Sequence, residues 1–207
     1  MSEQTPRTMM PGPILVTCFE AFAPPGKRLR PENESEEVLR VFGDRNAHRS
    51  PVPGPGTGAG RCDLLILPVD PRCEVQLARA LHRNPSGVVA MGEAGLDGSW
   101  DTNVEVRAWD RPILTERAAG RPPRTPSEAF FSSPFAASLP LLPGMEREER
   151  IGSYWCNRAY YRILEWCIRF ERPAVFLHLR VGSDRTNHVA HLEHALGIMA
   201  RGIPAHA

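Results

Sequence analysis

Gly152-Ser153-Tyr154-Trp155-Cys156-Asn157 is the stretch from which the rest of the chain can be read. From its cysteine the sequence continues CNRAYYRILEWCIRF. There Ala159, Ile163, Cys167 and Phe170 recur at spacings of three and four, the period of an amphipathic helix. Cys156 therefore falls in the first turn of a helix. N–H groups without intrahelical acceptors and the positive end of the macrodipole lie there. Both favour the thiolate, which is the nucleophilic form of cysteine. Cys156 is equally the first residue of the helix's apolar stripe, so its placement alone leaves two roles open, reactive thiol or core residue.

A second segment adds to the first. Ala174-Val175-Phe176-Leu177-His178-Leu179-Arg180-Val181 reads as a buried strand interrupted by one imidazole. Val175, Leu177 and Leu179 share one face; Phe176, His178 and Arg180 share the other. A strand that follows the helix brings His178 back toward the helix start. A Cys–His pair of this kind calls for a third group that orients the imidazole.

Outward from this pair the chain alternates apolar runs with helical patterns. Strands are expected at Pro13 to Phe19, Asp63 to Val69 and Gly87 to Met91. Helices are expected from a cap at Ser35 to about Gly43, from Pro71 to about Arg83, and from Thr186 to Met199. Asn103 to Trp109 alternates in polarity and reads as one half-exposed strand, at an antiparallel edge. Thr125-Pro126-Ser127-Glu128 reads as a helix start. Prolines at 134, 140 and 143 leave little room for a helix between 134 and 150. The pattern predicts an α/β fold: one three-layer domain with a mainly parallel central sheet and helices on both faces. In such sheets functional sites lie beyond the carboxyl ends of the strands.

Composition narrows the function. The 207 residues suit one domain, read as 13–207 behind a polar tail at 1–12 that is expected to be disordered. A net charge of +1 argues against nucleic acid or an anionic membrane as partner. No run of 18 apolar residues and no signal-peptide pattern appear, so a cytoplasmic protein is expected. Five cysteines without paired spacing fit reduced thiols. The glycine-rich run PVPGPGTGAG lacks the Lys-Ser/Thr of a phosphate loop. His188, His191 and His194 step by three along the last helix with no cysteine or acidic set beside them, and read as a polar helix face. Neither a metal nor another cofactor is expected.

Several segments, in order along the chain, resemble the pyroglutamyl peptidase I (pyrrolidone-carboxylate peptidase) family of cysteine peptidases. Val16-Thr17-Cys18-Phe19-Glu20-Ala21-Phe22 resembles the family's T-G-F-x-P-F. Asn33-Glu34-Ser35-Glu36-Glu37 resembles N-P-S-W-E, and Gly92-Glu93-Ala94-Gly95 resembles G-Q-A-G. Ala129-Phe130-Phe131-Ser132-Ser133 resembles A-A-Y-F-S/T, Gly152 to Asn157 resembles G-T-x-x-C-N, and Phe176-Leu177-His178 resembles the strand that bears the histidine.

The resemblance implies a peptidase that removes an N-terminal pyroglutamyl or related residue from a peptide or small amide. Cys156 would be the nucleophile and His178 the base. Phe19 and Phe22 would line the pocket for the pyroglutamyl ring, and Glu93 would take the place of a glutamine near the substrate. Counting as the family does, the third catalytic position falls on Asn103, where the family carries glutamate; Glu105 lies two residues on, on the same strand face. The family's arginine has no clear counterpart: Arg111 is near, but Arg111-Pro112-Ile113-Leu114 does not align with the family's segment. A homo-oligomer is a further expectation. The reading from a different class is a non-enzymatic protein that binds a small ligand or partner through the same pocket.

Overall fold

The computed structural model describes residues 12–21, 32–47, 62–94, 99–110, 129–149 and 154–202. Its frame is a six-stranded sheet in the order β2-β1-β3-β8-β4-β7. The strands are β1 (Ile14–Phe19), β2 (Cys62–Leu67), β3 (Val88–Ala94), β4 (Thr102–Glu105), β7 (Met145–Glu148) and β8 (Ala174–Arg180). Strands β2, β1, β3 and β8 are parallel, whereas β4 runs antiparallel to β8 and parallel to β7. A two-stranded antiparallel ribbon, β5 (Arg107–Trp109) with β6 (Phe130–Ser132), stands apart.

The helices are α1 (Glu34–Ala47), α2 (Arg72–Leu81), α3 (Pro134–Ser138), α4 (Trp155–Phe170) and α5 (Arg185–Ala200). Residue alternation along the strands sorts them into two layers. Val16, Val89, Leu177 and Leu179 pack with Val38 and Phe42 of α1 and with Val189 and Leu192 of α5. Leu15, Phe19, Ala90 and Phe176 pack with Cys73 and Leu77 of α2 and with Ala159, Tyr160 and Ile163 of α4. Two apolar layers, one on each sheet face, are what a parallel sheet needs to remove both faces from water. Among the described residues no helix is long and apolar enough to cross a membrane.

The structure differs from the sequence expectation at several elements. The stretch 102–109 breaks at Val106 into β4 and β5, and β4 is interior: all four of its residues are buried between β8 and β7. The Val106 N–H makes the last rung to the Glu148 carbonyl of β7 at 2.9 Å, and the Val106 carbonyl accepts the Ser133 N–H at 2.8 Å, where the ribbon of β5 and β6 begins. Helix α1 starts one residue before Ser35, because Asn33 Oδ1 accepts the Ser35 N–H at 2.9 Å and carries the cap. It also runs past Gly43, to Ala47. The 134–150 region does hold a short helix, α3, because Pro134 sits in its first turn, where a missing N–H costs nothing. Ser133 caps it by accepting the Ala136 N–H at 3.0 Å. The helix start expected at Thr125 to Glu128 lies outside the described residues, as do Phe22 and Arg111.

Candidate active site

Helix α4 presents Cys156 from its first turn, and two of its neighbours fasten that turn. Asn157, 1% exposed, accepts the Trp109 N–H at 2.9 Å and donates to the Trp109 carbonyl at 2.7 Å. Arg158 donates to Glu74 of α2 at 2.9 Å. The helix start is thus tied to β5 on one side and to α2 on the other. The N-cap residue, Tyr154, offers no side-chain acceptor to the first-turn N–H groups. They lie at the positive end of a 16-residue helix, which favours an anionic ligand oxygen.

Cys156 is half-buried and packs on the apolar layer that contains Phe19, Trp155, Tyr160 and Phe176. Beneath it lies Gly92 of β3. A Cβ at Gly92 would stand 3.0 Å from Cys156 Sγ and 2.9 Å from Phe176 Cζ, so any side chain there would displace the sulfur or the ring. Gly92 is also the register partner of His178 on β8. Thiol and imidazole therefore meet above the one strand position that has no side chain.

His178 points to the same face as Phe176, whose ring lies edge-on to the imidazole with centroids 4.9 Å apart. Its Nδ1–H donates to Glu105 Oε1 at 2.6 Å; the carboxylate can only accept, which fixes the tautomer. The Glu105 side chain is 3% exposed. The Tyr160 hydroxyl donates to the Glu105 carbonyl at 2.9 Å and holds that residue from below. Burial disfavours the charged imidazole, but hydrogen bonds to Cys156 and Glu105, and the negative charge of both, outweigh it and hold the His178 pKa up at about 10.

The expectation that Asn103 orients His178 is corrected by this geometry. Asn103 and Glu105 share a strand face, but it is Glu105 that bonds Nδ1, while Asn103 Oδ1 has no hydrogen-bond partner among the described residues. In the antiparallel pair Asn103 stands opposite His178 and Glu105 opposite Phe176. The imidazole is long enough to lean back one rung and meet the carboxylate.

Glu93 also moves from its expected place. Strand β3 continues through it, so it faces away from Gly92, on the α1 side with Val89 and Met91. Its Oε2 accepts the Glu34 N–H at 3.0 Å and serves the N-terminus of α1. Phe19 is 1% exposed and belongs to the core layer on the Cys156 side.

Two of the three histidines of α5 turn inward and do not form a polar outer face. His188 and His191 are buried; His188 donates to the Asp101 carbonyl at 2.9 Å, and His191 bonds the Thr102 hydroxyl at 2.8 Å. Glu34 of α1 lies 3.4 Å from the other ring nitrogen of His188. Among the described residues no group of three or more His, Cys, Asp or Glu side chains is placed to hold a metal ion.

Gly92, Asn157, Arg158 and Tyr160 escaped the sequence reading as parts of the site. Asn157 carried one signal, its place next to Cys156 at the end of the segment Gly152 to Asn157.

The chain is similar in structure to pyrrolidone carboxyl peptidase from Thermococcus litoralis, with a TM-score of 0.64 at 17% identity, covering 91% of this chain and 93% of that one. It is similar to pyrrolidone carboxyl peptidase from Pyrococcus furiosus, with a TM-score of 0.66 at 15% identity over 92% of this chain and 99% of that one. Pyroglutamyl peptidase I from Bacillus amyloliquefaciens gives 0.60 at 16% identity over 93% and 94%. Comparison with protein-family models and with curated proteins gave no match. The fold is that of the pyrrolidone carboxyl peptidases.

Proposed function

We propose that this chain, built on the pyrrolidone carboxyl peptidase fold, is a cysteine peptidase that removes an N-terminal pyroglutamyl residue from peptides or small amides. The observation that carries the reading is the row Cys156, His178, Glu105, with Nδ1 of the imidazole 2.6 Å from the carboxylate and the thiol against the bare backbone of Gly92. Sequence likeness at the cysteine and histidine segments and the shared fold support the substrate class.

In this reading Cys156 attacks the carbonyl carbon of the pyroglutamyl group as a thiolate. The developing oxyanion takes hydrogen bonds from first-turn N–H groups of α4, which need no reorganisation to receive it. His178, protonated at neutral pH, gives its proton to the departing amine and leaves a thioester on Cys156. The neutral imidazole then removes a proton from water, which hydrolyses the thioester and releases pyroglutamate. Glu105 holds Nδ1–H in place and balances the imidazolium charge. Phe19 forms part of the apolar layer under the ring.

Hydrolysis of the pyroglutamyl amide of aminomethylcoumarin tests this. The unmodified protein is expected to release the fluorophore, and Cys156→Ser to release none above the buffer rate. A stable protein that fails to cleave the amide, or a Cys156→Ser variant that cleaves it equally well, rejects the peptidase assignment.

A further inference from the structure

Tyr160 lies one helical turn below Cys156 on α4 and is wholly buried. Its hydroxyl donates across to the Glu105 carbonyl at 2.9 Å, on the strand that carries the acid of the row. Its ring packs on Phe176 with centroids 5.4 Å apart, and Phe176 in turn meets the imidazole of His178 edge-on at 4.9 Å. One side chain on the helix of the thiol therefore touches both β4 and β8, the strands that hold Glu105 and His178.

The point of contact is a weak one in the sheet. Glu105 ends the four-residue strand β4, and with Phe176 it forms the last register pair between β4 and β8. One residue on, the Val106 carbonyl already accepts the Ser133 N–H of the ribbon. The ends of short strands open more readily than their middles. Yet the carboxylate at this end must stay 2.6 Å from Nδ1 of an imidazole two residues along β8. Packing on Phe176 asks only for an aromatic ring at position 160. The hydroxyl adds a bond to the one backbone carbonyl whose movement would carry the carboxylate off the imidazole.

We propose that Tyr160 is a positioning residue: its hydroxyl fixes the backbone of Glu105 so that the carboxylate stays on Nδ1 of His178, and its ring backs Phe176 against the imidazole. It touches no substrate and acts through Glu105 and His178. Its effect on turnover rests on the peptidase reading, whereas its effect on the thiol–imidazole pair can be read without a substrate.

The test compares Tyr160→Phe, which deletes the hydroxyl and keeps the ring, with the unmodified protein. On the pyroglutamyl amide of aminomethylcoumarin, kcat should fall roughly three- to tenfold, the equivalent of one ordinary hydrogen bond, with KM within about twofold. The alkaline limb of the pH–rate profile should move about half a unit to lower pH, because a loosened carboxylate favours the imidazolium less. The upper inflection in the pH dependence of Cys156 alkylation by iodoacetamide should move with it. In a Glu105→Gln background, Tyr160→Phe should change kcat by less than about twofold, since the group it positions is gone. Cys167→Ala, another buried change on α4 and about two turns farther from the site, should lower Tm yet leave kcat and both profiles alone. A Tyr160→Phe variant that loses only Tm, with kcat and both profiles unchanged, overturns the inference. So do losses that multiply in the double variant, or a Cys167→Ala variant that moves the profiles equally. If the unmodified protein leaves the amide uncut, the peptidase reading fails by itself, and the alkylation profile still decides for or against Tyr160.

Discussion

The Cβ that Gly92 lacks would lie 3.0 Å from the sulfur of Cys156, with Phe176 Cζ 2.9 Å away on its other side. The thiol thus rests on the sheet where the sheet has no side chain, level with His178 on the next strand. A methyl group here cannot be absorbed by a solvent-facing side chain, because Phe176 is fully buried. Gly92→Ala should therefore lift Cys156 from His178. Overpacking of this kind costs about 1–3 kcal/mol, so a tenfold or larger loss in kcat and in Cys156 alkylation rate is expected. A variant with full activity and full alkylation rate would show that the sulfur does not depend on this gap.

Glu105→Gln should move the alkaline limb of the pH–rate profile downward. The His178 pKa is raised, from a usual value near 6.5 to about 10, so its contribution to stability is fully present below 6.5 and is lost as pH rises through 10. The proton donated to the leaving amine disappears over the same upper range. Without the carboxylate one raising influence is gone, and the fall in activity should come at lower pH. In a serine triad the corresponding acid-to-amide change costs about ten-thousand-fold; a pre-formed thiolate needs its base less, so a smaller loss is expected. An unchanged profile in Glu105→Gln, measured against Asn103→Ala as control, would remove Glu105 from the mechanism.

Among the five thiols, Cys156 should react first with iodoacetamide at neutral pH. Burial pushes Cys62 up to about 11 and Cys73 up to about 12, each with help from a nearby carboxylate. Burial raises Cys18 and Cys167 further still. Those four are held as neutral thiols, which are poor nucleophiles. Mass spectrometry after limited labelling reads the order. Modification of any of these four ahead of Cys156 contradicts it.

Glu93→Gln should change stability and leave specificity alone. Its carboxylate accepts a first-turn N–H of α1 at 3.0 Å, on the sheet face away from Cys156. A charge at a helix N-terminus contributes about 0.3–1 kcal/mol, so a Tm lower by a few degrees with KM unchanged is the expected result. A KM altered several-fold at unchanged Tm would return Glu93 to the substrate pocket.

The sequence by itself determined the elements that carry Cys156 and His178. Helical spacing behind Cys156 and strand alternation around His178 are local properties of adjacent residues, and both survive unchanged in the fold. The mainly parallel sheet followed from the alternation of strands with helices along the chain. The choice between Asn103 and Glu105 was not local. Two residues apart on one strand, they share a face, and periodicity cannot separate them. Only the antiparallel register with β8 put Glu105 within reach of a leaning imidazole and left Asn103 opposite its backbone. The switch at Val106 and the burial of His188 and His191 likewise rest on partners far along the chain: Ser133, which donates to the Val106 carbonyl, for the first, Asp101 and Thr102 for the second. Gly92 is the plainest case. Its meaning is the absence of an atom, and what that absence makes room for is set by a helix that begins more than sixty residues later.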